Sequence, residues 1–316
     1  MVQDSLGNTK HRQGAWITIG SFDGVHSGHR HILDKLIAGA HSEGQASVVI
    51  TFHPHPAKVL RPFPDPFYLS TPEEKDALLS RLGLTSVLSL KFSRNLSMLS
   101  AFDFMSILHH QLKFSCLLIG YDFKLGANRE GDFSRLQEIG RDLGYCVKTL
   151  DPIQSTSQVI SSSLIRKKIS AGEISAANIL LGYPYPISGE IIHGDGRGKH
   201  IGIPTANIKP WDEKLVPENG VYAAMANVNG DLHQAVVNIG HRPTFYSKPA
   251  EKTIEVHILN FNQEIYGEKL KLEFYDRIRD ELKFGSAEEL MSQISKDINT
   301  TRKVLSNATT KKYLSA

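Results

Sequence analysis

The sequence predicts an α/β domain built on a parallel sheet, followed by an antiparallel β-barrel domain with a C-terminal helix. In the first half of the 316 residues, strand patterns alternate with helix patterns, which is typical of a parallel sheet covered by helices. After residue 183 the chain becomes strand-rich and contains an Asn-Gly hairpin signal. A chain of this length exceeds one typical domain, so we predict two domains, 1–183 and 184–316.

Apolar runs predict the strands of the first domain. They cover residues 16–19, 47–52, 86–90, 116–119 and 145–150. Between the second and third runs, STPEEKDALLSRLGL predicts a helix capped by Ser70 or Thr71, with Pro72 in its first turn and Gly83 ending it. Ligands of parallel sheets bind at the carboxyl ends of the strands, so we expect a site at that edge.

The second half has a different pattern. Residues 162–181 predict two short helices, and GVYAAMANVNGDLHQAVVNIG predicts a hairpin that turns at Asn229 and Gly230. The segments TIEVHI and KLKLEFYD predict further strands, and residues 286–305 predict an amphipathic helix. We therefore expect an antiparallel barrel that is closed or flanked by this helix.

Composition excludes several classes of protein. A net charge of +3 gives no electrostatic case for a nucleic-acid partner, and no run approaches the roughly 20 apolar residues of a membrane span. The first residues, MVQDSLGNTKHRQG, have no apolar core of signal-peptide length. Cys116 and Cys146 lie in strand-like runs and are expected to be buried free thiols, which suits the cytoplasm. The sequence does not predict an oligomeric state.

His26 and His29 lie where the first strand gives way to a helix, in ITIGSFDGVHSGHRHIL. They are structural, or bind zinc together with His53 and His55, or bind phosphate. We favour phosphate, because a helix beginning near His29 supplies unpaired N–H groups and imidazoles in its first turn can donate to phosphate oxygens. Gly20 also lets the backbone approach a ligand closely.

A second informative run is GEIIHGDGRGKHIGIPTANI. Its glycine-rich loop includes Gly196, Arg197, Gly198 and Lys199. His200 follows Gly-Lys where a Walker loop requires Ser or Thr, so the loop is either another phosphate loop or a plain turn. Thr205 and Asn207 offer hard oxygen ligands, which suit Mg²⁺.

These motifs resemble those of a known family. HSGH resembles the HxGH signature of the Rossmann-like nucleotidyltransferase superfamily. With TFHPHP at 51–56, GYDFKLGANREGD at 120–132 and ISSSLIR at 160–166, it resembles the first half of bacterial bifunctional riboflavin kinase/FAD synthetases. The run GDGRGKHIGIPTAN, with NIGHRPTF at 238–245, resembles the riboflavin kinase signature. The resemblance covers nearly the whole chain.

The resemblance implies an FMN adenylyltransferase (FAD synthetase) domain at 1–183 and a riboflavin kinase domain at 184–316. The first would transfer an adenylyl group from ATP to FMN, giving FAD and pyrophosphate. The second would phosphorylate riboflavin with ATP and Mg²⁺. Two alternatives stay open: a riboflavin kinase whose adenylyltransferase half is weak or lost, and a non-catalytic flavin-binding protein.

The resemblance also implies roles for individual residues. The residues expected to bind ATP in the first half are Gly20, Phe22, His26, His29, Ser162 and Arg166, of which His26 and His29 are also catalytic. Those expected to bind ATP in the second half are Gly196, Arg197, Gly198, Lys199, Thr205 and Asn207, the last two through the metal. Asp122 and Arg129 are expected to bind flavin, although both also suit an ordinary turn. Arg279 either contacts flavin or phosphate or pairs only with neighbouring acids.

Glu255 matches the family's general base. Strand alternation puts Ile254 and Val256 on one face and Glu255 on the other, so the carboxylate need not enter the barrel core. The alternative is a solvent-facing strand carboxylate.

The chain departs from the family pattern at two places in its first half. Lys124–Leu125 stands where Arg-Phe is usual, and Leu164 stands where arginine is usual. Both changes remove a guanidinium that could clamp phosphate.

Overall fold

A computed structural model of the chain describes residues 14–61, 66–155, 158–194, 202–241 and 252–310. By their packing the chain forms two compact units. The first comprises Met1–Pro64 and Ser70–Ser161, and the second comprises Asp65–Leu69 and Ser162–Ala316.

The first unit is a parallel α/β sheet. Its elements are β1 (Ala15–Ile19), α1 (Ser27–Ser42), β2 (Ala46–His53), α2 (Pro56–Leu60), α3 (Pro72–Ser80), β3 (Ser86–Lys91), α4 (Arg94–Ser97), α5 (Ala101–Leu112), β4 (Cys116–Gly120), α6 (Phe133–Leu143) and β5 (Cys146–Leu150), then the short β6 (Gln154–Ser155) and β7 (Gln158–Val159). In the described part of the chain, the sheet has five parallel strands in the order β3-β2-β1-β4-β5. The predicted fold class and strands are confirmed.

Apolar packing on both faces explains why β1 is buried along its whole length. On one face, Ile17 and Val48 pack with residues of α5 and α6. On the other face, Trp16 and Val49 pack with residues of α1 and α3. Helices therefore cover both faces, and the loops that follow β1 and β4 lie at the carboxyl edge of the sheet, where ligands of such folds bind.

The second unit is a barrel. It contains α7 (Ser162–Ser170), α8 (Ile174–Leu181), β8 (Tyr185–Ile192), β9 (Ala206–Pro210), β10 (Gly220–Val228), β11 (Asp231–His241), β12 (Lys252–Ile258), β13 (Lys269–Arg279) and α9 (Ala287–Thr310). Among described residues, the barrel closes in the order β10-β11-β12-β9-β8-β13, with antiparallel pairing. Asn229 and Gly230 have φ of +52° and +100°, as the predicted hairpin turn requires.

Helices α7 and α8 belong to the compact barrel unit. The buried side chain of Asn178 on α8 donates to the Phe274 carbonyl at 2.8 Å and accepts from the Tyr185 N–H at 2.8 Å. The fully buried Lys214 ammonium donates to the Leu69 carbonyl at 2.7 Å, which ties Leu69 to the same unit. The compact units therefore divide after Ser161, while the domain boundary after residue 183 stays a prediction.

The two cysteines face each other across β4 and β5 in parallel register. Both are free thiols, and Cys116 is buried, so its pKa is raised chiefly by loss of hydration. The expectation that Cys146 is also buried was wrong, because β5 is the edge strand and leaves that side chain exposed. Within the described ranges, none of the helices has the length and apolar character needed to span a bilayer.

Candidate active sites

His26 caps helix α1 at the carboxyl edge of the sheet. Its Nδ1 accepts a hydrogen bond from the His29 backbone N–H at 3.3 Å. The helix therefore begins at Ser27 rather than near His29 as predicted, and the His29 N–H is engaged by the cap. Because Nδ1 accepts, the neutral His26 ring carries its proton on Nε2, the nitrogen that can donate to a ligand.

The predicted phosphate-site residues of the loop are in mutual contact. The rings of His26 and His29 stack with centroids 3.6 Å apart, and the ring of Phe22 meets His29 edge-on at 5.1 Å. A Cβ on Gly20 would lie 3.0 Å from the Phe22 ring, so the small residue permits this packing. His26 is buried and His29 is half-buried. The structure thus brings Gly20, Phe22, His26 and His29 together.

The backbone of this loop is strained and anchored. Phe22 and Val25 have φ of +48° and +36°, values that cost on the order of 1–3 kcal/mol each for residues with side chains. The Asp23 carboxylate accepts hydrogen bonds from the Ser70 N–H at 3.1 Å and the Ser70 hydroxyl at 3.2 Å. The Gly24 N–H in turn donates to the Ser70 hydroxyl oxygen at 3.0 Å. These buried contacts hold the loop in its strained form.

A cavity of about 1070 Å³ lies in the first unit at the same edge. Predicted site residues among those that line it are Gly20, Asp122 and Arg129. Its aromatic and aliphatic walls include Phe52, Phe92, Leu96, Leu99, Phe104 and Phe123. Lys124 and Leu125, which depart from the family pattern, also line it. The volume is at the upper end of ordinary ligand pockets, and the walls suit a flat apolar ring system.

Ser162 and Arg166 fall in the second compact unit. Ser162 is the first residue of α7. The Arg166 guanidinium lies 3.9 Å from the centre of the Phe67 ring, and its Nε donates to the Phe67 carbonyl at 2.9 Å. These contacts show how Arg166 is held; the ATP-binding roles of both residues stay predictions.

In the barrel, Glu255 of β12 lies between two asparagines. Its register partners are Asn207 on β9 and Asn238 on β11. Ile254 and Val256 are buried while Glu255 is half-buried, so the predicted alternation is confirmed. Side chains directly opposite on antiparallel strands have Cβ atoms about 4.5–5.5 Å apart, so these three polar groups share one face.

Asn238 was missed by the sequence analysis, although it begins the NIGHRPTF segment. The available signal is a polar residue within the apolar run AVVNIG. Its position beside Glu255 depends on the pairing of β11 with β12, which only the structure gives.

One hydrogen bond and one close approach of the chain position the Pro-Thr-Ala-Asn segment. His257 Nδ1 donates to the Pro204 carbonyl at 2.9 Å, which ties the residue before Thr205 to β12. A Cβ on Gly194 would lie 2.0 Å from Asn207 Nδ2, so a larger residue there would displace that amide. Thr205 and Asn207 carry a hydroxyl and an amide oxygen, which are the hard oxygen ligands that Mg²⁺ prefers.

Several predicted residues lie outside the described residues. They are Gly196, Arg197, Gly198 and Lys199 of the glycine-rich loop. Residues 242–245 of NIGHRPTF also lie outside them.

Arg279 forms an ion pair with Asp297 of helix α9. Its Nε donates to both carboxylate oxygens at 3.0 and 3.1 Å, and its Nη2 donates to Oδ2 at 2.8 Å. Asp297 is buried and also accepts from Gln293 at 2.9 Å. The structure therefore favours the alternative in which Arg279 pairs with a neighbouring acid, and its flavin role stays a prediction.

The zinc alternative finds no support in the described part of the chain. There, no three His, Cys, Asp or Glu side chains are grouped so that they could hold a metal ion. His55 instead caps α2, since its Nδ1 accepts from the Ala57 N–H at 3.1 Å.

Comparisons with known proteins match both halves of the chain. The FAD synthetase family model matches residues 8–164, and the riboflavin kinase model matches residues 181–305. A bifunctional riboflavin kinase/FMN adenylyltransferase from Bacillus subtilis is 39% identical over 92% of this chain and 92% of its own length. The chain belongs to this bifunctional family. A second bifunctional riboflavin kinase/FMN adenylyltransferase, from Listeria monocytogenes, is 38% identical over 90% of this chain and 91% of its own length.

A solved structure extends the agreement in fold. The crystal structure of a protein named as a macrolide-efflux protein from Streptococcus pneumoniae is 30% identical, with a TM-score of 0.86. The match covers 92% of this chain and 94% of that one.

The family assignment means that this enzyme phosphorylates riboflavin to FMN and adenylylates FMN to FAD, using ATP in both steps. The kinase-only and non-catalytic alternatives are not favoured.

Proposed function

We propose that adenylyl transfer takes place at the carboxyl edge of the parallel sheet, where His26 and His29 donate hydrogen bonds to the ATP phosphates. Gly20 and Phe22 complete the surface against which the ATP phosphates lie. The observation that supports this assignment is the stacked histidine pair at the start of α1. A helix N-terminus favours anions, and imidazole N–H groups fixed there need no reorganisation as charge develops.

The adjoining cavity would hold FMN. Its aromatic and aliphatic walls suit an isoalloxazine ring, and the exposed Arg129 offers a cation for the FMN phosphate. Asp122 offers a hydrogen-bond acceptor at the same wall.

The chemistry at this site follows from charge. An FMN phosphate oxygen attacks the α-phosphorus of ATP, the new P–O bond forms, and pyrophosphate leaves with the electrons of the broken P–O bond. Negative charge accumulates on the α-phosphate and the leaving group, where His26 and His29 donate hydrogen bonds. From the family pattern, we also assign Ser162 and Arg166 to ATP.

Riboflavin phosphorylation would take place at the outer face of the barrel, with Glu255 as the general base. Glu255 accepts the proton of the ribityl 5′-hydroxyl as that oxygen attacks the γ-phosphorus of ATP, and ADP leaves. Thr205 and Asn207 would hold Mg²⁺, which when bound neutralises charge on the ATP phosphates. We assign Gly196, Arg197, Gly198 and Lys199 to the same phosphates from the family pattern. That pattern also implies a flavin contact for Arg279, although its guanidinium is paired with Asp297.

The single observation that supports the kinase assignment is the register of Glu255 against Asn207. It puts a carboxylate and an amide side by side on one face of the barrel, and we assign the base role to the first and the ligand role to the second. The free thiols Cys116 and Cys146 suit a reducing compartment, so we propose that the enzyme works in the cytoplasm.

The metal assignment has a direct test. Asn207→Ala should raise the Mg²⁺ concentration that gives half-maximal FMN formation, because one ligand is removed. Lys209→Ala, an exposed position on the same strand, is the control. An unchanged Mg²⁺ dependence in Asn207→Ala would exclude Asn207 as a ligand.

A further inference from the structure

Lys75 is a charged side chain in the interior of the first unit. It lies on α3 and is 7% exposed. Its Nζ donates to the Thr51 hydroxyl at 3.0 Å, to the Phe52 carbonyl at 3.2 Å and to the Ser21 carbonyl at 3.5 Å. An ammonium group has three N–H donors, so its capacity is matched by these acceptors.

The acceptors lie at the carboxyl ends of two neighbouring strands. Ser21 opens the loop that leads from β1 to His26, and Thr51 and Phe52 lie near the end of β2. The Thr51 hydroxyl also donates to the Ser21 carbonyl at 3.0 Å, which closes a small network. Ser21 and Phe52 both line the cavity. One ammonium group thus joins the start of the loop between β1 and α1, which carries His26, to a wall of the cavity.

Packing alone does not require a charge at this position. A methionine would fill a similar volume, whereas a buried ammonium loses hydration that its hydrogen bonds must replace. That loss lowers the pKa of Lys75, and the nearby charge of Asp23 opposes the shift. The attraction of Asp23 and the hydrogen bonds to Ser21, Thr51 and Phe52 therefore offset the lost hydration, and two of those bonds hold backbone carbonyls.

We propose that Lys75 is a positioning residue for adenylyl transfer. By holding the Ser21 and Phe52 carbonyls, it fixes the strained loop before His26 relative to the cavity wall. This proposal rests on the assignment of adenylyl transfer to His26 and His29. Lys75 holds the start of the loop, and Ser70 holds the middle of the same loop through Asp23 and Gly24.

The test uses the full-length enzyme with Lys75→Met and Lys75→Gln. FAD formation from FMN and ATP should lose about tenfold to a hundredfold in kcat in the methionine variant, since small displacements of catalytic groups have effects of this size. Glutamine keeps two N–H donors and should recover part of that loss. Riboflavin phosphorylation by the same preparations should keep its parental rate.

Leu79→Ala is the matched control for stability. Leu79 is buried on the same helix, one turn after Lys75, and packs in the apolar cluster of that face. Assayed below its melting temperature, it should keep the parental kcat for FAD formation. If Lys75→Met lowers kcat no more than Leu79→Ala does, Lys75 is merely structural and the proposal is overturned.

Thr51→Val provides the second variant should Lys75→Met not fold. It removes the hydroxyl shared by Lys75 and Ser21 and should lower the same kcat, to a smaller extent; an unchanged kcat would overturn the proposal. His29→Ala distinguishes a failure of the site assignment from a failure of the positioning role of Lys75. If His29→Ala retains FAD formation, the site assignment fails; if it loses FAD formation while Lys75→Met and Thr51→Val retain it, only the positioning proposal fails.

Discussion

Glu255 and Asn207 lie directly opposite each other on the antiparallel strands β12 and β9. The pairing puts a carboxylate and an amide on the outer face of the barrel, while their neighbours Ile254 and Ile208 are buried. The proposed kinase site therefore depends on strand register. A slip of one residue would turn Glu255 into the core and separate the pair.

Glu255→Gln should lower kcat for riboflavin phosphorylation by roughly 10²–10⁴, because glutamine keeps the shape but cannot accept the hydroxyl proton. The KM for riboflavin should change much less, since the interaction matters in the transition state. Glu190→Gln, an exposed carboxylate on β8, is the matched control and should retain activity. A parental kcat in Glu255→Gln would exclude Glu255 as the base.

The sequence predicts that residues from about 184 onward fold alone, and the packing of α8 leads to a sharper expectation. A fragment 162–316 should unfold at a higher urea concentration than 184–316, because the shorter one loses the buried bonds of Asn178 to Phe274 and Tyr185. Both fragments lack residues 65–69, so the difference reports on α7 and α8. Both should form FMN. Equal urea midpoints would contradict this view of α8.

Leu164→Arg should raise kcat/KM for FAD formation by about tenfold, the effect of one charge-assisted hydrogen bond, without changing the kinase. The family pattern has arginine at this position, and Leu164 is half-buried on α7. Ser163→Arg puts the guanidinium on the exposed adjacent position and is the control. A gain that is equal in both variants would show a general charge effect.

Much of the fold follows from sequence pattern. The strands of the sheet begin and end within about one residue of their predicted bounds, because buried parallel strands leave continuous apolar runs. Thr71 caps α3 with a full capping box, as one of the two predicted caps.

What the sequence could not give depends on tertiary contacts. Histidine is not among the preferred N-cap residues, so the start of α1 at Ser27 was missed. The exposure of Cys146 follows from the edge position of β5, and the place of Asn238 beside Glu255 follows from strand pairing. The contact of Lys75 with Ser21 joins residues 54 positions apart in the chain, so the sequence pattern does not reveal it.

His109 should make the first unit less stable in mild acid. Burial first, and then the charge of Lys113, lower the pKa of His109 below 6.5 in the folded state. At a pH between that lowered pKa and 6.5, the unfolded chain binds more protons at His109 than the folded chain does. The free energy of unfolding therefore has its full value above pH 6.5 and decreases as the pH falls through the folded pKa. His109→Gln should weaken this pH dependence of the urea midpoint, relative to His110→Gln on the same turn. Identical pH profiles would exclude His109 as a source.

The central claim is that the two reactions use two separate sites, and complementation tests it most directly. His29→Ala and Glu255→Gln are each incubated with riboflavin, ATP and Mg²⁺, alone and mixed, and flavins are followed by chromatography. His29→Ala should accumulate FMN, with FAD formation reduced about 10²–10³-fold, while Glu255→Gln should leave riboflavin unchanged yet convert added FMN to FAD. The mixture should form FAD from riboflavin. A mixture that forms no FAD, or a single variant that loses both reactions while folded, would contradict the account.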